Sequence, residues 1–345
     1  MPRIGVTWIG PSLKRTNLAI EHRAFAQRLV FAPDGRATGV EVLQDGVRRT
    51  FSARREVIVA AGAVDTPKLL QLSGLGDGAT LRAAGIDARF HLPAVGGNLQ
   101  DHLATSFYYR ANRPTLNGIF ASRFGQARLG LQYLLTRKGP FAMSVNQAGG
   151  FFRGAPGEER PNIQIYFNPL SYRIPRNRSA SMLPEPYPGF LIAFNSCRPT
   201  SRGRIAIASP DPSAPALIRP NYLSTQHDVD EVIQGSRLVR RIASSPALAS
   251  IIDAEISPSP SVASDEDLLD YFRAESSSIY HLCGSCMMGR DVETSVVDAR
   301  LRVHGVPGLR IVDASVFPNV TAGNTNAPTM MVAEKGAAMI LEDAA

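Results

Sequence analysis

The stretch Ser278-Ile279-Tyr280-His281-Leu282-Cys283-Gly284-Ser285-Cys286-Met287-Met288-Gly289 sets a histidine beside a C-x-x-C pair and a glycine-rich turn. Three chemistries use such residues: metal coordination, thiol redox exchange and general-base catalysis by the imidazole. A zinc site needs about four ligands, usually from a second C-x-x-C or from added histidines at matching spacing. Cys283 and Cys286 have no second pair, and Cys197 is the only other cysteine. No metal site is expected. A thioredoxin-like centre places its C-x-x-C after an early strand of a βαβ unit, opening a helix; here Met287-Met288-Gly289 comes next instead. Three unevenly placed cysteines do not make a disulfide framework. A proton acceptor working near neutral pH is most simply a histidine. Of the six, His22, His91 and His304 lie in strand or turn contexts that suit surface or structural roles. His227 falls in the first turn of an expected helix. His281 differs, because Gly284 and Gly289 let the backbone behind it come close to a flat ligand. His102, closing Asn98-Leu99-Gln100-Asp101-His102, keeps a rival claim.

Around these residues the chain reads as mixed α/β. Residues 18–22 and 39–43 alternate as strands do, with the turn signal Pro33-Asp34-Gly35 between them. Residues 55–62 predict a strand buried on both faces that ends in small residues. A helix begins at Thr66, with Pro67 tolerated in its first turn, and residues 82–86 end another. From about 105 to 225 short strand-like runs, such as 162–167 and 189–194, alternate with proline-rich loops, which predicts an antiparallel sheet. Thr225 with Asp228 and Ser264 with Asp267 read as capping boxes. Val229, Val232, Ile233, Val239 and Ile242 mark one face of the helix behind the first box. Residues 309–312 predict a strand and 328–341 a helix, with Asn326 as its N-cap.

Gly74-Leu75-Gly76-Asp77-Gly78-Ala79 satisfies G-x-G-x-x-A, yet it comes after a helix. A dinucleotide site needs those glycines between a buried strand and a helix. They read as a helix stop. No other G-x-G-x-x-G occurs in the sequence.

The 345 residues, 44% apolar and 19% charged, are ordinary for a globular protein. The net charge is +7, but the arginines are scattered and no basic block is interleaved with aromatics, so no nucleic-acid partner is expected. The longest apolar run, residues 57–64, is far short of the roughly 20 residues of a membrane span, and residues 1–15 show no signal-peptide core. A cytoplasmic location is the expectation.

Several ordered segments together resemble the glucose–methanol–choline (GMC) family of flavin-dependent alcohol oxidoreductases. They are Gly62-Ala63-Val64-Asp65-Thr66-Pro67-Lys68-Leu69-Leu70-Gln71-Leu72-Ser73-Gly74, then Leu92 to His102, then Ser201-Arg202-Gly203 through Pro220-Asn221-Tyr222-Leu223, then the His281 turn, and finally Gly308-Leu309-Arg310-Ile311-Val312-Asp313-Ala314-Ser315 through Gly323-Asn324-Thr325-Asn326-Ala327-Pro328-Thr329-Met330-Met331. The resemblance implies a partial FAD/NAD(P)-binding, Rossmann-like domain with an antiparallel-sheet substrate domain. Residues 1–104 would be the remainder of the FAD domain, 105–290 the substrate domain and 291–345 the return to the FAD domain. It implies FAD as cofactor, His281 as the base that takes the hydroxyl proton, and Asn324 as the donor to the developing alkoxide, with hydride passing to flavin N5. Asp313 would bond the ribityl chain. Ala314 and Thr325 would approach the isoalloxazine through their backbones. Ala26, ending a family strand that covers residues 17–26, would contact adenine through its main chain. The implied substrate is an alcohol, with the closing motif similar to members acting on aliphatic alcohols or choline. The resemblance decides neither the alcohol nor the electron acceptor, whether quinone, another carrier or oxygen; a cyanohydrin-cleaving relative is a remote option.

Family members begin with a strand, glycine loop and helix for the ADP of FAD. The present sequence is similar to the C-terminal two-thirds of such a protein, beyond that opening unit. Two expectations result. One is an FAD-dependent oxidoreductase acting on CH–OH groups. The alternative is a truncated, non-catalytic fragment that needs a missing N-terminal FAD-binding segment and is colourless and aggregating when isolated.

Overall fold

The computed structural model describes residues 9–172 and 183–344. The elements that build the site run along the chain as β1 (Ala24–Phe31), β2 (Ala37–Gln44), β3 (Val47–Ser52), β4 (Val57–Val59), α1 (Gly62–Leu72), α2 (Gly78–Ala83), β5 (Leu103–Ala111), β6 (Ala148–Phe152), β7 (Ile163–Asn168), β8 (Gly189–Ser196), α3 (Gln226–Ala243), β9 (Ile252–Ser257), α4 (Asp265–Glu275), β10 (Ser277–Ser278), β11 (Leu309–Ile311) and α5 (Asn326–Ala344). Strands β1, β2 and β3 form an antiparallel meander, while β4 pairs in parallel with β11, which returns from the far end of the sequence. The larger sheet is antiparallel, in the order β9-β5-β8-β7-β6, with β10 also on β5.

Two cores result from this topology. The first joins Leu29, Val59 and Leu70 to Cys283, Cys286, Leu309, Ile311 and Val332, so distant parts of the sequence close one apolar interior. The second lies under the antiparallel sheet, where Phe107, Tyr109 and Phe194 meet Val232 and Val239 of α3 and Phe272 of α4. A Cβ on Gly235 would stand 2.3 Å from the Phe194 ring, so only glycine lets α3 lie this close to β8.

Where the first core meets the glycine-rich turn of residues 284–289, one missing hydrogen decides a contact. Pro67 sits in the interior of α1 and has no N–H to give the carbonyl of Ala63. The hydroxyl of Ser285 donates to that carbonyl instead, at 2.6 Å. Gly74, at φ 83, then stops α1, and Asp77 caps α2 by accepting from Thr80 N at 2.8 Å. The fingerprint-like glycines here form a helix stop and then a helix start.

Several sequence readings need correction. Residues 17–22 form no strand; β1 begins at Ala24, after Arg23 adopts a left-handed backbone at φ 55. Ile58 is 44% exposed, so β4 is covered on one face only. Helix α1 starts at Gly62, four residues before the expected Thr66. Strand β3 escapes the sequence pattern, because Val47–Ser52 carries two arginines and little alternation. Ser264 and Asp267 form the full capping box. Thr225 Oγ accepts from Asp228 N, but the Asp228 carboxylate turns instead to the N–H groups of Thr200 and Ser201. Asn326 lies within α5 rather than at its cap, since the Thr325 carbonyl already accepts from Thr329 N.

Candidate active site

His281 is 8% exposed and its ring is bonded on both nitrogens. On one side Asn324 Nδ2 lies 3.1 Å from His281 Nε2. On the other, His281 Nδ1 lies 2.9 Å from His102 Nδ1, and His102 Nε2 lies 3.1 Å from the Cys197 carbonyl. Asn324 is itself oriented by Gln164 of β7, whose Nε2 donates to Asn324 Oδ1 at 3.4 Å. The two residues singled out for chemistry, 43 positions apart, thus meet in space.

The segment Asn98–His102 holds this arrangement. Gln100 and Cys283 exchange backbone hydrogen bonds at 3.0 and 2.9 Å, which fixes the histidine turn against the entry to β5. Gly284, at φ 84, is needed there because a Cβ would lie 2.7 Å from the Asn98 carbonyl. The Gln100 amide reaches the other way: its Nε2 donates to the Pro318 carbonyl at 3.1 Å and its Oε1 accepts from Val320 N at 3.1 Å. One side chain therefore ties the loop that delivers Asn324 to the turn that delivers His281. Asp101, buried, accepts from His281 N at 2.9 Å, from Tyr222 OH at 2.6 Å and from Ser278 Oγ. Tyr280, at φ 62 and 85% exposed, turns its ring outward so that His281 faces in.

The electrostatics favour a neutral imidazole. Burial lowers the pKa of His281, opposed by the Asp101 charge. Burial also lowers His102, to about 4, opposed by its bond to the Cys197 carbonyl. An imidazole that stays unprotonated near pH 7 can accept a proton. The cysteines are placed for packing. Cys283 and Cys286 are fully buried in the first core, and burial pushes the Cys283 thiol up to about 12.

Of the residues read as cofactor contacts, Asp313 and Ala314 fall just beyond the carboxyl end of β11, where α/β sheets hold ligands, while Thr325 precedes α5 and Ala26 lies on β1. Asp313, 5% exposed, accepts from Gly62 N at 2.9 Å and Thr66 Oγ1 at 2.6 Å through one oxygen and from Ser315 N at 2.7 Å through the other. It clamps the β4–α1 turn to β11. The Ala314 carbonyl accepts from Gly284 N at 3.1 Å, and the Thr325 carbonyl from Thr329 N at 3.0 Å. Both residues stand at the start of helical turns, whose first N–H groups have no internal acceptor. Ala26 is exposed on β1, paired with Val42 next to a bulge.

Sequence reasoning missed Cys197 and Gln164. A peptide carbonyl carries no residue signature, and an inward glutamine on a strand looks like any other. His102 was visible only as a rival to His281, and its partnership with that ring is a tertiary fact. The larger depressions, about 750 and 840 Å³, are lined by Arg36, Arg54 and Pro307 in one case and by Thr105, Tyr108 and Ser276 in the other. His281 and Asn324 lie instead at a face where Asn324 is exposed.

Residues 4–104 and 199–333 each match a family model described as GMC oxidoreductase. The chain is 40% identical over 334 residues to an alcohol dehydrogenase (acceptor) of Pseudomonas putida, covering 95% of this chain and 59% of that protein. It is 39% identical over 334 residues to the mitochondrial choline dehydrogenase of Mus musculus, covering 96% and 55% respectively. The chain thus spans less than two-thirds of the length of either relative. Among solved structures it is similar to pyridoxine 4-oxidase from Mesorbium loti, with a TM-score of 0.82, 26% identity, and coverage of 96% of this chain and 60% of the other.

Proposed function

Because this chain belongs to the GMC oxidoreductase family, whose members are FAD-dependent flavoproteins, we propose that His281 and Asn324 activate an alcohol for oxidation to its carbonyl. The observation that carries the reading is the 3.1 Å approach of Asn324 Nδ2 to His281 Nε2. An alcohol oxygen that displaces this direct contact gives its proton to Nε2 and accepts a hydrogen bond from the amide. The amide then steadies the negative charge that grows on oxygen as the proton leaves. An alcohol substrate is favoured by the names of two relatives, an alcohol dehydrogenase (acceptor) and a choline dehydrogenase.

The residues present fit the cofactor. Gly62 opens α1 at φ 84, and a Cβ there would meet nothing within 4 Å, so the turn at the end of β4 lies open to a ligand. At the start of the 19-residue helix α5, Asn326, Ala327 and Met331 are exposed beside Asn324, giving a partly positive N-terminus and an apolar face to a flat ring. When bound, FAD supplies the acceptor for the hydride from the alcohol carbon. Asp313 holds the turn at Gly62, and Ala314 and Thr325 contribute backbone N–H groups rather than their occupied carbonyls. The contact of Ala26 with adenine is part of the same proposal, favoured by its exposure on β1.

The division into a cofactor side, 1–104 with 291–345, and a substrate side, 105–290, is favoured by the two cores, although Cys283 and Cys286 already pack in the first. A cytoplasmic setting belongs to the proposal as well; among the described residues no helix is long and apolar enough to cross a membrane. A second reading, that this chain does not hold FAD unaided, is favoured by the exposed Ile58 on β4, which pairs only with β11 among the described strands.

The test is alcohol-dependent bleaching of the flavin absorbance in the FAD-loaded protein. His281→Ala is expected to slow it by about 10²–10⁴-fold, and Asn324→Ala by about 10²–10³-fold. Wild-type bleaching rates in His281→Ala overturn the assignment. Failure of the chain to retain FAD at all favours the second reading.

A further inference from the structure

We propose that His102 is a positioning residue that fixes His281 in the tautomer with its proton on Nδ1, leaving the Nε2 lone pair directed at Asn324 and the incoming alcohol. The inference deepens the proposed role of His281 and rests on that reading for its consequence, though not for its geometry.

Proton bookkeeping along the chain of contacts permits one arrangement of neutral rings. The Cys197 carbonyl only accepts, so His102 Nε2, 3.1 Å away, must carry the hydrogen. A neutral imidazole has one N–H, so His102 Nδ1 is then a bare lone pair. The partner of that lone pair, His281 Nδ1 at 2.9 Å, must therefore be the donor. His281 is neutral with its one proton placed, and Nε2 is left as an acceptor. Asn324 offers what such a nitrogen needs, an amide N–H at 3.1 Å, and the orientation of that amide is consistent with Gln164 Nε2 donating to its oxygen. Every donor in the series points toward Cys197, so each bond polarises the next in the same sense.

Both rings are buried, His102 at 0% exposure and His281 at 8%, and no exchange with water is needed to set the tautomer. The groups facing the pair are Asp101, whose carboxylate takes His281 N, and the backbone of Cys197. Burial keeps His102 neutral over the physiological range, with its pKa lowered to about 4. The series also ends where no proton can leave. A peptide carbonyl accepts a hydrogen bond but not the proton itself, so the proton gained at Nε2 departs by the face through which the alcohol entered. His102 anchors and orients without exporting charge.

The measurement is the pair of side-chain ¹⁵N shifts of His281 in the full chain near pH 8, read by long-range ¹H–¹⁵N correlation. The wild-type protein is expected to show a protonated-type Nδ1 and an unprotonated-type Nε2. Wild-type spectra with the proton on Nε2 overturn the proposal without any variant. In His102→Ala the proton is expected to shift toward Nε2; in His102→Gln, whose side-chain oxygen accepts from Nδ1–H, it is expected to stay on Nδ1. A His102→Ala protein that keeps the wild-type shifts overturns the role of His102. Where a catalytic imidazole is held in the wrong tautomer, rates fall by up to about 10⁴-fold, so a loss of at least about tenfold in alcohol-dependent flavin bleaching is expected for His102→Ala, with recovery in His102→Gln. A shifted tautomer with an unchanged rate sustains the assignment of His102 and overturns His281 as the base, which keeps the two failures apart.

Discussion

Asp101 shows how much of this site is carried by a residue that performs no step. Its carboxylate accepts from Tyr222, Ser278 and the backbone of His281, and its charge raises the His281 pKa against the lowering by burial. In Asp101→Asn one acceptor oxygen becomes a donor and the charge disappears. The pKa of His281 then falls further, so the rising limb of kcat/KM against pH moves to lower pH than in the wild type, whose own limb lies below the ordinary histidine value of 6.5. The groups facing His281 are Asp101, His102 and Asn324, and only the first carries charge near neutrality. A pH series on the FAD-loaded protein measures the limb; one that stays in place while the rate drops shows that the titrating group is not His281. His281 was legible because its glycine-rich turn carries information about backbone approach, and Asn324 through the resemblance of its segment to the closing motif of the GMC family. The sequence left Cys197 and Gln164 dark, since one acts through its carbonyl and the other through a strand orientation that depends on the fold.

At the scale of elements, the site depends on close approaches that small residues permit. Gly235 costs α3 about 1 kcal/mol of helix propensity relative to alanine, yet a Cβ there would stand 2.3 Å from the Phe194 ring. Gly235→Ala is therefore expected to destabilise the protein by about 1–3 kcal/mol, read as a lower urea midpoint, where propensity alone predicts a gain. Ser285→Ala tests the other contact: it strands the Ala63 carbonyl that Pro67 cannot serve, a loss of about 1–3 kcal/mol for a buried unsatisfied group. The same urea titration reads it, and unaltered stability shows that water serves that carbonyl. Local apolar spacing found β7, β8 and α3, but the stretch read as an antiparallel sheet also holds helices at Leu116–Ala121 and Arg123–Thr136. The local pattern misplaced the start of α1 because Pro67 suggested a first turn, whereas the helix continues through that proline and Ser285 serves the carbonyl left without a partner. It took residues 18–22 for a strand because alternation alone does not supply a pairing partner; Leu18 and Ile20 remain 42% and 37% exposed.

On the scale of the molecule, the site lies where the two cores meet. Residues Asn98–His102 lead into the antiparallel sheet, His281 returns from it, and Asn324 belongs to the segment that closes the first core. Groups buried at that junction should register in the stability of the whole. His102 is neutral in the folded protein with a pKa of about 4, against 6.5 when exposed. Below pH 6.5 the unfolded chain takes up a proton that the folded chain refuses, so stability falls as the pH drops from 6.5 and levels off near 4. The shift corresponds to about 3 kcal/mol at 1.36 kcal/mol per pH unit, and His281, lowered in the same direction, adds to it. The buried Asp228, whose pKa is held below the usual carboxylate value by the N–H and hydroxyl groups of Thr200 and Ser201, also loses stability on acidification, but below pH 3.8. Asp228 is thus separated from the histidine window, whereas Glu231, whose pKa burial raises above 4.5, acts within it in the opposite sense, so the histidine contribution is read from the difference between two proteins that both keep Glu231. Urea titrations at intervals between pH 7 and 4 are expected to show a falling midpoint in the wild type and a shallower fall in His102→Gln, which has no proton to take up at that position. An equal slope in the two proteins shows that His102 is not held neutral at the junction.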